Sequence, residues 1–326
     1  MSVVKKYILS NSAVVAVADS KGILDKAAEL HSLSLLSSVV LNRILTVGVF
    51  FGQDLKNGDD GLLITVSGEK FARAVVSVTR RGAVKGYIEN TVLGFSKKDG
   101  DVKDGGQDAT LDFSGKEGGG GGYRIEVESD VKATVGRNGF VETTKSIGGR
   151  LYSGRSELAE GDITSDFALY LAVSEQKNSY IALGEFVSGQ KKSPTVRDGF
   201  ADGGEVLAAG GCFLQFLPDA EGEFVRDVRG VFSRLSDFGR ILYELKTPDA
   251  VMRTYFNNFT VEPLDEYEPR FYCGCSEERT RKIVALMGRK EAFDTLKERG
   301  AVEARCDFCG KTYVYGKKEI EKIFGK

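Results

Sequence analysis

Four of the chain's five cysteines fall in residues 273–326, in the stretches "FYCGCSEERT" and "EARCDFCGKT". Cys273 and Cys275 stand one residue apart. Cys306 and Cys309 stand two apart, about thirty residues later. Five cysteines in 326 residues do not make a secreted disulfide scaffold. In a reducing compartment, a CxC and CxxC cluster reads as a metal or redox site. Four thiolates hold one Zn²⁺ tetrahedrally, with bonds of about 2.3 Å. The lone histidine, His31, is remote in sequence, so a site of four cysteines is the economical choice. A module this small has a marginal core. Structural zinc contributes roughly 10–16 kcal/mol at neutral pH, against about 5–15 kcal/mol for the stability of a whole domain. The tail is therefore expected to fold around one zinc ion per chain and to unfold without it.

The sequence between the pairs supplies a way to bring them together. Ser276 is placed to cap a helix with Glu277 and Glu278 in its first turn and Ile283, Leu286 and Met287 on its apolar face. Gly288 ends it. "KEAFDTLKERG" reads as a second short helix ended by Gly300. Two antiparallel helices return the chain to Cys306, and Gly310 permits the tight turn that lets both sulfurs of "CDFCGK" face one ion.

The remaining length points to at least one larger domain. Hydrophobic residues make up 41% and charged residues 28%, a globular composition. Formal net charge is −2, without the basic excess of a dedicated nucleic-acid binder. The apolar run from Ala13 to Ala18 is too short for a signal-peptide core or a membrane span. The reading is a cytoplasmic protein without membrane or nucleic-acid partners, an organelle import sequence remaining open.

The fold class expected is α+β. Residues 1–219 form a mixed core domain with an antiparallel sheet and helices, 220–272 a helical, metastable linker, and 273–326 the zinc-binding tail. "SAVVAVADSKG" alternates like a strand ending at a glycine turn. Spacings of three and four among Leu30, Leu33, Leu36, Val39, Val40 and Ile44 predict one helix from about Ile23 to Val47. "GLLITVSGEKFARAVVSVTRRGAVKGYIEN" predicts strands joined by glycine turns, hence an antiparallel sheet. "YRIEVES" and "KATVGRNGFVETTKS" also read as strands. Asp162 or Thr164 caps a helix through Ile163, Phe167, Tyr170 and Leu171, and "SYIALGEFV" and "AAGGCFLQFLPDA" are further strands. Cys212 reads as a small buried hydrophobe. Residues 96–122, with "KEGGGGGY", read as a surface insertion; no lysine–serine pair or helix start follows to make a phosphate loop. In the linker, Val231, Phe232, Leu235, Phe238, Ile241 and Leu242 form an amphipathic stripe, and "LDEYEPR" reads as solvated linker.

"YCGCSEERTRKIVALMG" and "ARCDFCGKTYVYGKKEIEKIF" resemble the redox-switch domain of the 33 kDa heat-shock chaperonin family, the oxidation-activated holdases. "YLAVSEQKNSYIALG", "AAGGCFLQFLPDA", "HSLSLLSSVVLNRIL" and "RRGAVKGYIEN" resemble its core motifs, so the likeness lapses only at 96–122. The resemblance implies a chaperone that holds unfolding client proteins without ATP. It implies zinc on Cys273, Cys275, Cys306 and Cys309 in the reduced, inactive state. It further implies disulfides Cys273–Cys275 and Cys306–Cys309 on oxidation, zinc release, unfolding of tail and linker, exposure of the apolar stripe to clients, and an oxidised homodimer. No catalytic constellation accompanies these motifs, and the chain is not read as an enzyme. Two other functions fit a four-cysteine tail: a nucleic-acid-binding protein with a static zinc ribbon, and a thiol-disulfide oxidoreductase using Cys306 and Cys309. The first needs a basic face. The second needs the CxxC at a helix start after a strand.

Overall fold

The structure is a computed structural model, which describes residues 1–55, 57, 60–94, 127–188 and 204–325. The glycine-rich segment 96–122 lies outside the described residues. The chain divides into two compact units, Met1–Phe271 and Tyr272–Lys326.

The first unit is α+β. Its first sheet contains β1 (Val3–Leu9), β2 (Ala13–Asp19), β8 (Ser179–Val187), β9 (Val206–Phe216) and β10 (Val261–Tyr267), in the order β10-β1-β2-β9-β8, all antiparallel. Its second contains β3 (Gly61–Gly68), β4 (Ala72–Arg80), β5 (Ala83–Ile88), β6 (Phe140–Ile147), β7 (Arg150–Glu157) and β11 (Arg270–Phe271), in the order β11-β5-β4-β3-β6-β7. Among the described residues, only the two-residue β11–β5 pairing is parallel. Helices α1 (Lys21–His31), α2 (Leu35–Phe51), α3 (Val127–Val135) and α4 (Thr164–Val173) complete the core.

Helix α2 explains why the sheets close around it. It is apolar on every side and buried from Leu35 to Phe50, as a helix in the middle of a core must be. It packs so closely on β4 that a Cβ on Gly48 would stand 2.7 Å from Val76 Cγ1. Its one cation is fully satisfied: Arg43 Nε donates to Glu185 Oε2 at 3.2 Å, and its Nη1 donates to Glu128 Oε2 at 3.0 Å and to the Asp162 carbonyl at 3.1 Å.

The first sheet is buried on both faces. Ala16, Ala18, Ala209 and Phe213 join the core around α2. Alternate residues Ala13, Val15, Val17, Cys212, Leu214 and Phe216 point to the opposite face. There they meet α5 (Gly222–Phe232), α6 (Phe238–Leu245) and α7 (Pro248–Tyr255).

Several expectations need correction. The single helix over 23–47 is two helices: Ser32 adopts a left-handed conformation and Ser34 Oγ accepts the Ser37 N–H at 3.3 Å, starting α2 afresh. Gly22 lies inside α1, so no glycine turn ends β2. The end of "YRIEVES" and the start of "KATVGRNGFVETTKS", expected as strands, lie in α3, because Val131 and Val135, four apart, bury one side of a helix; residues 123–126 lie outside the described residues. Strand β7 was not anticipated; it is an exposed edge with no alternation to announce it. "LDEYEPR" is largely β10 rather than free linker. Its Asp265 pairs with Arg81, Glu266 with Lys5 at 3.1 Å, and the Tyr267 hydroxyl donates to the Val49 carbonyl at 3.2 Å. Among the described residues, no helix is long and apolar enough to cross a membrane.

The second unit has helices α8 (Glu277–Leu286), α9 (Arg289–Arg299) and α10 (Lys317–Phe324) and the hairpin β12 (Val302–Arg305) and β13 (Thr312–Tyr315). Its core is small: Val284, Ala292, Val302, Tyr313, Tyr315 and Ile320.

Candidate metal centre

The two cysteine pairs sit on two loops of the second unit. Cys273 and Cys275 precede α8, whose start is capped by Ser276 Oγ accepting the Arg279 N–H at 3.3 Å. Arg279 reaches back, its Nη1 donating to the Gly274 carbonyl at 3.0 Å, and so fixes the first loop. The second loop is the tip of the β12–β13 hairpin. The Cys306 N–H donates to the Lys311 carbonyl at 2.9 Å and the Gly310 N–H to the Cys306 carbonyl at 2.8 Å, with Gly310 at φ 71°. A side chain resists that left-handed conformation, which is why glycine stands there.

These loops bring all four Sγ atoms within 4.8 Å of one another. Cys273 and Cys306 sulfurs stand 3.6 Å apart, and Cys275 and Cys309 sulfurs 3.5 Å apart. A tetrahedral thiolate site with bonds near 2.3 Å has edges of about 3.8 Å. The donor set therefore fits one metal ion. Among the described residues these four are the only such cluster of metal-ligating side chains. His31 belongs to the first unit, in the last turn of α1.

The thiols are not equivalent. Burial pushes Cys273 up to about 12. Burial also pushes Cys309 upward. Burial acts against ionisation of Cys275 too, but hydrogen bonds outweigh it, the Tyr313 hydroxyl first and then the neighbouring sulfurs, and lower it to about 7. One thiolate is thus readily accommodated, while four crowded together require a cation to neutralise them.

Tyr313 was not anticipated. Its hydroxyl donates to Cys275 Sγ at 3.3 Å. Nothing in the cysteine spacing signals it. The face expected for α8 also needs correction. Ile283 is 60% and Leu286 87% exposed, while Val284 and Thr280 are buried, because the helix turns its Thr280–Val284 side to the core. Gly288 and Gly300 do follow the ends of α8 and α9, both with positive φ.

The linker residues lie in the first unit. Val231, Leu235, Phe238, Ile241 and Leu242 are buried against the outer face of the first sheet, with Phe232 half-buried beside them. That sheet supplies their packing surface. The approach is closest at α6: a Cβ on Gly239 would stand 2.1 Å from the Glu185 backbone carbonyl carbon, so β8 and α6 touch backbone to backbone. Asp249, at the start of α7, accepts from Lys5 Nζ at 2.8 Å and from the Tyr7 hydroxyl at 2.7 Å. Cys212 is wholly buried beneath this layer, and burial pushes its thiol well above the usual range.

The family model described as Hsp33 protein matches residues 2–316. The chain belongs to the Hsp33 family. A 33 kDa chaperonin of Caldanaerobacter subterraneus subsp. tengcongensis is 28% identical over 323 residues, covering 98% of this chain and 97% of that protein. A 33 kDa chaperonin of Clostridioides difficile is also 28% identical, covering 94% and 92%. The crystal structure of a Thermotoga maritima 33 kDa chaperonin, an Hsp33 homologue, shares the fold, with a TM-score of 0.73 at 21% identity over 99% of this chain and 97% of that one. Membership of the Hsp33 family makes the four-sulfur cluster and the layered first unit parts of one chaperone.

Proposed function

We propose that this chain is a redox-regulated, ATP-independent holdase, kept inactive by zinc on Cys273, Cys275, Cys306 and Cys309 and activated by oxidation. The observation that carries the reading is the apolar layer beneath the linker, joined by β10 and β11 to a four-sulfur cluster that begins two residues after Phe271. Zinc bound there would offset half of the four thiolates' charge and tie the two loops together.

The chemistry begins with a thiolate attacking a peroxide oxygen. The S–O bond forms, the O–O bond breaks, and hydroxide leaves. A neighbouring thiolate then attacks the sulfenic sulfur and expels a second hydroxide. Two thiols and one peroxide become a disulfide and two waters, and a second round consumes the other pair. The pairing proposed, Cys273 with Cys275 and Cys306 with Cys309, rests on the family resemblance; the sulfur contacts of 3.6 and 3.5 Å run between the loops, Cys273 to Cys306 and Cys275 to Cys309. With its ligands gone the small unit loses most of its stability. The linker strands β10 and β11 then lose their anchored end. The short helices α5, α6 and α7 depend on packing, because helices of their length are marginal alone. Their release bares two apolar surfaces: the stripe Val231, Phe232, Leu235, Phe238, Ile241 and Leu242, and the sheet face of Leu9, Val15, Leu214 and Phe216. Both offer area to an unfolding client, and a second oxidised copy is the proposed dimer partner.

The setting of Cys306 and Cys309 in a hairpin loop, rather than at a helix start, argues against the oxidoreductase alternative. The near-neutral charge argues against a nucleic-acid role. The test follows zinc release under peroxide in parallel with suppression of aggregation of a heat-unfolded client. The reading expects one zinc per chain to leave as holding appears, and both to reverse on reduction with zinc. Holding that is indifferent to oxidant would contradict it.

A further inference from the structure

Tyr313 joins the sulfur cluster to the core of the second unit. Its ring belongs to that core, with Val284, Val302, Tyr315 and Ile320, and is 8% exposed. It sits on β13 opposite Ala304, so its backbone is set by the same hairpin that carries Cys306 and Cys309. Lys311 lies over the ring, its Nζ 4.9 Å from the centroid. With the ring so held, the hydroxyl reaches across to the other loop and donates to Cys275 Sγ at 3.3 Å.

We propose that Tyr313 is a positioning residue of the metal centre: its hydroxyl stabilises the Cys275 thiolate, strengthening its hold on the metal and slowing its attack on peroxide. The proposal rests on the zinc-switch reading above and adds a residue to it. A hydrogen bond to an ionised sulfur is charge-assisted. It draws electron density from the lone pairs, so the sulfur is a poorer nucleophile. It also fixes the direction in which the thiolate faces. Outer partners of metal ligands typically govern affinity by about 10- to 100-fold. Tyr313 would thereby set how much oxidant is needed before the switch opens.

The strand supplies its own control. Tyr315, two residues on, is equally a core tyrosine, but its hydroxyl meets Thr280 Oγ1 at 2.5 Å and donates to the Glu277 carbonyl at 3.2 Å. Tyr313→Phe and Tyr315→Phe each remove one hydroxyl and keep the ring.

The full-length reduced protein and both variants should be titrated with zinc against a chromogenic chelator, and separately loaded with cobalt(II) to record the sulfur-to-metal charge-transfer band. Tyr313→Phe should bind zinc about 10-fold more weakly or worse. Its cobalt band should move to lower energy, because an unshielded thiolate is more electron-rich. It should also lose zinc faster at a fixed peroxide concentration. Tyr315→Phe should leave the cobalt band where it is in the parent protein. A Tyr313→Phe affinity within about two-fold of the parent, with an unmoved band, would overturn the assignment, since outer-partner loss typically costs more. An equal band shift in Tyr315→Phe would overturn it too, by showing a general loosening of the hairpin. A parent protein that takes up no zinc would instead defeat the underlying reading, and this one with it.

Discussion

Helices α6 and α8 are both short, and they are held in opposite ways. Helix α6 turns Phe238, Gly239, Ile241 and Leu242 inward, onto a five-stranded sheet whose outer face carries Leu9, Val15, Val17, Ala182, Cys212, Leu214 and Phe216. Helix α8 buries only Thr280 and Val284, in a unit with six buried apolar side chains, and leaves Ile283 and Leu286 in water. Neither helix is long enough to persist alone. One is ordered by a large surface it shares with the core. The other is ordered by a small core beside the four-sulfur cluster. On the proposed switch, a chemical signal at the sulfurs strikes the smaller core directly, and the difference separates a sensor from the layer it controls.

The largest expected effect breaks the comparison most completely. Removing the metal from reduced protein with a strong chelator should cost the second unit on the order of 10 kcal/mol. Amide exchange should lose protection throughout Tyr272–Lys326, while Val76 and Ile64 beside α2 stay protected. Protection retained in α8 and α9 without metal would show that the small core suffices.

A smaller effect targets the linker alone. Gly239→Ala should favour an isolated helix by about 1 kcal/mol. In this protein the added Cβ meets the backbone of Glu185, so the change should instead destabilise the α6 contact by about 1–3 kcal/mol. The variant should keep its full zinc content and hold clients without oxidant. Unchanged dependence on oxidant in a variant with proven linker exposure would separate linker release from activity.

The smallest effect sharpens the comparison by pH. Lys5, followed by Tyr7, holds the Asp249 carboxyl below its usual range in the folded protein. Its contribution is therefore present above the ordinary carboxylate range, near pH 4, and is lost as pH falls through the lowered folded value. Asp249 is partly exposed, so Asp249→Asn should cost under about 1 kcal/mol at pH 7. The difference from the parent protein should shrink as the pH is taken down through that window. A gap that widens with acid would mean that Asp249 does not pin α7.

The sequence foreshadowed those features in which one physical cause dominates. β2 and β9 are rich in apolar residues, and the cysteine spacing points to a common site whatever fold surrounds it. Where two causes compete, local pattern misleads. The valines of "VESDVKATV" favour a strand, yet Val131 and Val135 find the core as a helix. Acidic β10 looks like linker because its partners, Lys5 and Arg81, lie far away in sequence. On α8 two sets share helical spacing, and only packing decides for Thr280 and Val284 over Ile283 and Leu286. Tyr313 was invisible for the same reason: its contact with Cys275 spans both loops and exists only once they meet.

The central claim is that oxidation lifts the linker from the first sheet, and Cys212 is placed to report it. It lies on β9, wholly buried, in the same apolar cluster as Val231, Phe238 and Leu242. In the oxidised, zinc-free protein the other four cysteines are proposed to be in disulfides, leaving Cys212 as the one free thiol. A brief pulse of a small maleimide, read by mass spectrometry of the intact chain, should add nothing at Cys212 in the reduced, zinc-loaded protein. It should add one label per chain after oxidation, in step with holding activity. Full holding activity with Cys212 still unlabelled would mean that the linker stays on the sheet and that clients bind elsewhere.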